Sequence, residues 1–230
     1  DVYPYNLPAV DFINKKRILS INPGINEKND IKVSVITPIL NPSCSDLQST
    51  LESIIYQDFT NFEYIIVDGG SSPEVDELLA NYKNGIDNLI RGKDNGPYDA
   101  MLKGVQEANG EWIIFINAGD IFSTSKILSK IFVNINDSSP DIIYGDHFWL
   151  HENKAHLHRA LPLNALKGFH RFEYADTALW KIGIPGHQAT FTKKELLLKY
   201  PFKYQQYNIA ADHDLLFHYI TSCIKYMQVS

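Results

Sequence analysis

Short hydrophobic runs that alternate with amphipathic helical patterns constrain the fold of this chain more than any other feature. Residues 31–37 are rich in β-branched side chains and stop at Pro38, which predicts a strand. From about residue 46 to residue 56, apolar side chains recur at helical spacing, which predicts an amphipathic helix. The apolar positions of that helix are Leu47, Leu51, Ile54 and Ile55.

The same alternation runs through the first half of the chain. Further strands are predicted over residues 62–67, 88–91 and 112–116, with helices through residues 78–79 and over residues 98–108. Strands that are apolar throughout and joined by helices are typical of a mostly parallel sheet covered on both faces. The sequence therefore predicts an α/β fold with a Rossmann-like, mostly parallel central sheet.

Polar side chains follow the predicted strands. Ligands of such sheets bind at the carboxyl ends of the strands, so a site is expected in the loops after Thr37, Val67, Ile90 and Ile116. We expect these four loops to converge on one site. Their polar residues are Asn41, Asp68, Asp94, Asp99, Asn117 and Asp120.

The second half of the sequence is less regular. A helix is predicted after Thr124, a strand over residues 141–144, and helices near residues 193–199 and 210–222. The stretch from His147 to Lys181 lacks the regular strand and helix patterns of the first half and contains several aromatic and His side chains. Four of its histidines lack the carboxylate or Cys neighbours of a metal site, so we expect surface or core positions for them. They are His147, His151, His156 and His158.

A length of 230 residues leaves room for one large domain with a short appendage. Residues 1–30 are rich in Pro and polar side chains, and we expect an N-terminal appendage or linker with one short helix near residues 10–19. Residues 31–230 then form one domain, with halves of about 31–120 and 121–230. The chain begins without Met and stops straight after a helical pattern, so we expect a piece of a longer protein, truncated at its C-terminus.

Composition and missing motifs exclude several functions. A formal net charge of −6 without a basic cluster argues against nucleic acid as a partner. Two Cys residues are too few for a disulfide framework, and no apolar stretch approaches the roughly 18 residues of a membrane span. We expect a cytoplasmic protein with at most peripheral association at the inner face of the cytoplasmic membrane. The absence of G-x-G-x-x-G, P-loop and G-x-S-x-G motifs argues against dehydrogenases, P-loop NTPases and serine hydrolases.

The stretch from Phe115 to Asp120 is the strongest single feature of the sequence. A buried strand ends there in an amide, Asn117, and a carboxylate, Asp120. A carboxylate in that position suits Mg²⁺ or Mn²⁺, which bind few protein oxygens and leave positions for substrate phosphate. Asn, Gly and Asp are also turn residues, so these residues alone leave a simple turn equally open.

Asp68 precedes two glycines that let the backbone approach a base or a ribose. A helix start capped by Ser71 or Ser72 is the alternative interpretation. Asp212 and Asp214 flank a His at a predicted helix start, where a carboxylate suits general-base work and N-capping alike, and we expect one of the two to cap the helix.

His187 is a further candidate because it precedes a β-rich run that ends against a helix.

Seven segments, in order over about residues 31–220, carry most of these features. They are residues 33–41 (VSVITPILN), 64–71 (YIIVDGGS), 94–104 (DNGPYDAMLKG), 110–120 (GEWIIFINAGD), 143–146 (IYGD), 185–191 (PGHQATF) and 210–216 (AADHDLL). Taken together they resemble the GT-A-fold glycosyltransferases of family 2, particularly bacterial enzymes of surface-polysaccharide assembly.

The resemblance implies a GT-A fold and single-displacement transfer of a sugar, with inversion at the anomeric carbon, from a nucleotide-sugar donor, with UDP-sugars expected first. It also implies a divalent metal cofactor, Mn²⁺ or Mg²⁺, and a saccharide or lipid-linked saccharide acceptor in bacterial polysaccharide biosynthesis. By position, Asp212 is implied as the catalytic base, and Asp120 and His187 as metal ligands. The nucleotide-sugar-binding residues so implied are Thr37, Pro38, Asn41, Asp68, Asp94, Asp99 and Asn117.

Two departures from the family pattern bear on this assignment. The common Asp-Ala-Asp-Asp is here Asn117-Ala-Gly-Asp120, so Gly119 stands at the usual metal-binding Asp and Asp120 has to compensate. The common Ala-Arg-Asn after the third strand reads Ala100-Met-Leu102, which removes a basic side chain from the donor phosphates.

Two other functions stay open from the sequence. A catalytically silent nucleotide-sugar-binding or scaffolding domain of a larger polysaccharide-assembly protein fits the altered acidic turn. A nucleotidyltransferase shares the layered architecture, but residues 38–41 lack its Gly-rich basic loop. Homodimer formation also stays open. Aromatics of the second half suit sugar stacking, although we expect most of them in the core: Phe148, Trp149, Phe169, Phe172, Tyr174 and Trp180.

Overall fold

The computed structural model describes residues 2–4, 32–133, 135, 140–151, 154–162, 185–207, 210–222 and 224–229. The short helix predicted near residues 10–19 lies outside these ranges, as do four of the predicted core aromatics. Those four are Phe169, Phe172, Tyr174 and Trp180. No helix in the described part of the chain has the length and apolar character needed to cross a membrane.

A seven-stranded sheet forms the centre of the fold. Its strands are β2 Val33–Ile39, β3 Phe62–Asp68, β4 Asn88–Arg91, β5 Trp112–Phe115, β6 Ile142–Gly145, β9 Thr190–Lys193 and β10 Tyr226–Val229. From one edge to the other, their order is β10, β6, β9, β5, β2, β3 and β4. All neighbours run parallel except β9, which is antiparallel to both β5 and β6.

Helices cover both faces of this sheet, as expected for strands that are apolar throughout. The described helices are α1 Cys44–Ile55, α2 Pro73–Asn81, α3 Pro97–Glu107, α4 Ile127–Phe132, α5 Lys194–Lys199 and α6 Ala211–Thr221. The apolar residues of α1, α2 and α4 share one buried cluster, and those of α3, α5 and α6 share the other. The predicted α/β class with a mostly parallel sheet is confirmed.

A small second sheet was missed by the sequence analysis. It consists of β1 Val2–Pro4, β7 His147–His151 and β8 Lys154–His158, which pair antiparallel in the order β1, β8, β7. The apolar run of β7, Phe148 to Leu150, is exposed, unlike those of the main sheet, so the expectation of core positions for Phe148 and Trp149 is wrong. Residues 147–158 therefore form a β-hairpin, where we expected an irregular region.

A buried carboxylate joins three segments at the amino end of the main sheet. Glu63, on β3, accepts hydrogen bonds from Ser34 Oγ of β2 at 2.6 Å, from Asn109 Nδ2 at 3.0 Å and from Gly110 N at 3.2 Å. The backbone N–H of Asn109 also donates to it. A Cβ on Gly110 would overlap the backbone of β2, so this close approach requires glycine. Glu63 thus aligns β2, β3 and β5, the strands whose far ends lead into the predicted site.

We expect Glu63→Gln to lower the free energy of unfolding by about 2 kcal/mol or more, because an amide nitrogen would face donors that now have an acceptor. Denaturant unfolding measures the change. Glu77→Gln, at an exposed position of α2, is the matched control and should change the value by less than about 0.5 kcal/mol. Equal losses in the two variants would show that Glu63 does not fix the sheet.

Candidate active site

The predicted site lies at the carboxyl edge of the main sheet. The loops after β2, β3, β4 and β5 leave the parallel strands at this edge. Because β9 is antiparallel, its first residue pairs near the end of β6, with Thr190 opposite Tyr144. The 3₁₀ turn His187–Ala189, which precedes β9, therefore reaches the same edge.

The loops after β2 and β3 are clamped together. Asn41 has a left-handed φ of 47°, its backbone N–H donates to Ser71 Oγ at 2.9 Å, and its Oδ1 accepts from the backbone N–H of Ser72 at 2.8 Å. Asp68 is buried, and its Oδ1 accepts from the backbone N–H groups of Gly70 and Ser71 at 3.0 and 2.8 Å. Ser72 precedes α2 without a side-chain cap, so the loop is shaped by Asp68 rather than by a serine cap.

Thr37 and Pro38 lie within β2, and both are buried. Thr37 Oγ1 accepts a hydrogen bond from the Tyr64 hydroxyl at 3.1 Å. The structure thus places these two predicted donor residues in the packed interior of the sheet, beside the Asn41 loop, and their direct contact with a nucleotide stays a prediction.

Asp94 and Asp99 lie in the loop after β4 and at the start of α3. Asp94 Oδ1 accepts from the backbone N–H of Gly96 at 2.9 Å, while its other oxygen occupies the space that a Cβ on Gly69 would need. Asp99 accepts from the Tyr204 hydroxyl at 3.1 Å and pairs with Lys103 at 3.2 Å. Asp94 therefore brings the β3 and β4 loops together, whereas Asp99 ties α3 to the segment before α6.

Asp212 is the centre of the hydrogen-bond network at this edge. The Tyr98 hydroxyl of α3 donates to Asp212 Oδ1 at 2.7 Å, and His187 Nδ1 lies 2.8 Å from Asp212 Oδ2. His187 Nε2 lies 2.9 Å from Asn117 Nδ2, at the end of β5. An amide nitrogen can only donate, so Nε2 accepts and the ring proton is on Nδ1, directed at Asp212. One histidine thus connects the predicted base to the predicted donor loop.

The predicted acidic turn is indeed a turn. Asp120 N donates to Asn117 O at 2.9 Å, and Gly119 has a φ of +98°. Thr50 of α1 fixes it, because its Oγ1 accepts from Gly119 N at 2.9 Å and bonds Asp120 O at 2.9 Å. The Asp120 side chain is directed at Gln188, whose Nε2 donates to Oδ2 at 3.1 Å. The turn and the site are therefore compatible interpretations of the same residues.

Asp212 is strongly held in its ionised form. Burial alone would raise its pKa, but the hydrogen bond from His187, the neighbouring His213 and the Tyr98 hydroxyl outweigh burial and lower the pKa to about 2. Burial and the nearby carboxylate raise the pKa of Tyr98, so its hydroxyl keeps its proton. The expectation that Asp212 or Asp214 caps the helix is wrong, since α6 begins after Ala210 without a side-chain cap.

The described residues are too few to bind a metal ion alone, so the predicted metal site would need oxygen atoms of a bound substrate as further ligands. No group of three His, Cys, Asp or Glu side chains within the described ranges is placed to hold a metal ion. Both ring nitrogens of His187 have hydrogen-bond partners, so a metal would have to replace Asn117 at Nε2. Asp120 keeps a second carboxylate oxygen, and one carboxylate with substrate phosphates is the arrangement that Mg²⁺ commonly uses.

Three contributors were missed in the sequence: Thr50, Tyr98 and Gln188. Tyr98 follows Pro97 at a helix start, and its sequence context is that of an ordinary apolar core residue. It is indeed 7% exposed, and its ring packs at a tilt against Phe202. Gln188 adjoins the predicted His187, which is the one signal that could have marked it. Only the packing of α3 against α6 reveals that the Tyr98 hydroxyl meets Asp212.

We expect Asp212→Asn to lower the free energy of unfolding by about 2 to 3 kcal/mol at pH 7, because a carboxylate with a depressed pKa stabilises the folded state above its unfolded pKa near 3.9. That stabilisation is lost as pH falls toward about 2. Denaturant unfolding from pH 7 to pH 3 should therefore show a shrinking deficit. Asp58→Asn, at an exposed site, is the control, and a deficit independent of pH would contradict the account.

Comparison with known proteins agrees with this geometry. A family model described as "Glycosyl transferase family 2" matches residues 34–200. The chain is 36% identical over 117 residues to a "PGL/p-HBAD biosynthesis glycosyltransferase" of Mycobacterium bovis, which covers 49% of this chain and 45% of that protein. The chain thus spans less than half the length of this curated relative.

Solved structures share the fold at low sequence identity. The 1–349 fragment of S. aureus TarS has a TM-score of 0.62 and 18% identity, over 86% of this chain and 58% of that one. The mannosyltransferase PcManGT from Pyrobaculum calidifontis, in complex with GDP-Man and Mn²⁺, has a TM-score of 0.60 and 15% identity, over 86% of this chain and 54% of that one. With the family match across most of the described sheet, these findings establish that this chain belongs to glycosyl transferase family 2 and has the GT-A fold.

Proposed function

We propose that this chain is an inverting glycosyltransferase that moves a sugar from a nucleotide-sugar donor, first of all a UDP-sugar, to a saccharide or lipid-linked saccharide in bacterial polysaccharide biosynthesis. One observation carries the proposal. A partly buried carboxylate, Asp212, lies at the sheet edge where the proposed donor loops converge, and it is connected to one of them through His187 and Asn117. A related structure supports the donor class, since the TarS fragment is also solved in complex with UDP.

The chemistry requires a base and a stabilised leaving group. A sugar hydroxyl is a weak nucleophile, so a carboxylate near it accelerates attack by accepting its proton as the new bond forms. Both Asp212 oxygens accept one hydrogen bond, and each oxygen retains a second lone pair. With its low pKa, Asp212 is ionised at neutral pH, so it does not have to lose a proton before it can accept one from the acceptor hydroxyl. Attack from the side opposite the leaving diphosphate inverts the anomeric carbon.

The donor would occupy the clamped loops of the other half of the edge. Asn41, Asp68 and Asp94 lie in these loops, and their hydrogen bonds to backbone N–H groups fix the shape of the loops. We propose Asp120 as the protein ligand of Mn²⁺ or Mg²⁺. When bound, such a cation would neutralise charge on the departing diphosphate. Within this proposal, His187 positions Asp212. His187 could also bind the metal, but only if the metal replaced Asn117 as the partner of Nε2.

A catalytically silent nucleotide-sugar-binding domain is the second candidate. The observation that favours it is the acidic turn, in which Asn117 and Gly119 replace two carboxylates of the common pattern. The two candidates differ in whether Asp212 is needed for turnover.

We expect Asp212→Asn to reduce sugar transfer by about 100-fold to 10,000-fold, the usual contribution of a general base, while UDP affinity changes less than twofold. UDP release from UDP-sugars measures turnover, and calorimetry measures binding. Asp214→Asn is the matched control, since Asp214 is on the same helix but pairs with Lys203. Transfer that persists in Asp212→Asn would exclude Asp212 as the base, and a wild-type chain that binds UDP without turnover would favour the silent domain.

A further inference from the structure

A further concave site lies at the carboxyl edge of the main sheet, at the β6 and β10 end. It is a cavity of about 310 Å³, a volume in the range of small-molecule sites. Among the described residues, its lining consists of Asp146, Arg159, Ala160, Gln228 and Val229. The Asp146 motif was one of the seven segments found in the sequence, and neither the base nor the donor loops use it.

The lining is built by interlocking hydrogen bonds. Asp146 Oδ1 accepts from the backbone N–H of Ala160 at 2.9 Å, and Gln228 Nε2 donates to the carbonyl of Ala160 at 2.7 Å. These bonds join the end of β6, the segment after β8 and strand β10. They use one oxygen of Asp146 and the nitrogen of Gln228, so Asp146 Oδ2 and Gln228 Oε1 can meet a ligand.

Arg159 supplies the donor groups. Its Nη1 lies 4.0 Å from Asp146 Oδ2, and its side chain is 69% exposed. At that distance and exposure the pair is loosely associated, so the guanidinium can turn its N–H groups to a ligand at small cost. The cavity thus presents an acceptor-only carboxylate beside a donor-only guanidinium.

The cavity lies next to the proposed transfer centre. Asp146 follows β6 directly, and β6 is the immediate neighbour of β9, whose preceding turn carries His187. The adjacent His147 ring lies within 3.7 Å of the position that a Cβ on Gly186 would take. Neighbouring strands lie about 4.8 Å apart, so the β6 and β10 ends lie about 5 to 10 Å from the start of β9. One or two sugar rings span that distance.

We propose that the cavity of Asp146, Arg159 and Gln228 is an acceptor subsite that binds a neutral sugar ring through its hydroxyl groups. This inference rests on the proposed glycosyltransferase function and assigns its acceptor side. A sugar hydroxyl donates one hydrogen bond and accepts others, so adjacent hydroxyls match a carboxylate and a guanidinium placed side by side. Because Asp146 and Arg159 carry opposite charges side by side, neither a free phosphate nor a free cation meets a counter-charge without also meeting a like charge.

The test uses ligand-observed NMR on the full chain with methyl glycosides of glucose, galactose, mannose and rhamnose. We expect at least one glycoside to bind in the millimolar range, and Arg159→Gln and Asp146→Asn each to weaken it at least fivefold. UDP binding, measured in parallel, should be unchanged in both variants. Lys130→Gln, at an exposed position of α4, is the matched charge control and should leave both ligands unaffected.

Three results would overturn the subsite. They are glycoside binding that neither variant weakens, no glycoside binding up to about 50 mM, and stronger binding of inorganic phosphate than of every glycoside. Failure of the subsite alone leaves UDP binding and the effect of Asp212→Asn on transfer intact. Loss of those two results would instead remove the proposed function itself.

Discussion

The arrangement of this site depends on one reversed strand. β9 runs antiparallel between two parallel neighbours, and this brings the His187 turn to the carboxyl edge of the sheet. There His187 bonds Asn117 at the end of β5 and Asp212 at the start of α6. Without the reversal, the segment before β9 would lie at the opposite edge, and the carboxylate of α6 would have no link to the donor loops.

The polar side chains at the carboxyl edge differ in kind from one end of the strand order to the other. At the β2, β3 and β4 end, acidic and amide side chains shape loops by accepting backbone N–H groups, which suits a rigid pocket for a nucleotide. At the centre, the partly buried carboxylate of Asp212 is kept ionised by three polar neighbours. At the β6 and β10 end, an exposed arginine and a half-buried carboxylate remain loosely paired. The proposed donor loops, transfer centre and acceptor subsite thus follow one another along the order of the strands.

Much of this fold could be predicted because its strands are strong local signals. The bounds of β2, β3, β5 and β6 differ from the predicted ones by one or two residues, since most residues of each strand are apolar. The direction of β9 could not be predicted, because periodicity describes burial and not strand orientation. The small sheet was missed for a related reason, since the apolar residues of β7 are exposed and their sequence does not indicate which strand they pair with.

The site shows the same division between local and distant information. Asp68, Asn117 and Asp120 could be found because each follows a predicted strand, and the structure brings these loops to one edge. Tyr98, one partner of Asp212, could not be found, since it is 114 residues away in the sequence and has the pattern of a core residue. Asp99 was predicted as a donor ligand, and its Oδ2 accepts from the nearby backbone N–H of Asn95, but the Tyr204 hydroxyl that donates to its Oδ1 is 105 residues away in the sequence.

The most direct test of the central claim is a calorimetric titration of the wild-type chain with UDP, GDP and CDP, with and without Mn²⁺. The account predicts saturable binding of UDP that strengthens when Mn²⁺ is present, with weaker binding of the other two nucleotides. Absence of binding by all three nucleotides, in either condition, would contradict the assignment of this sheet edge as a nucleotide-sugar site.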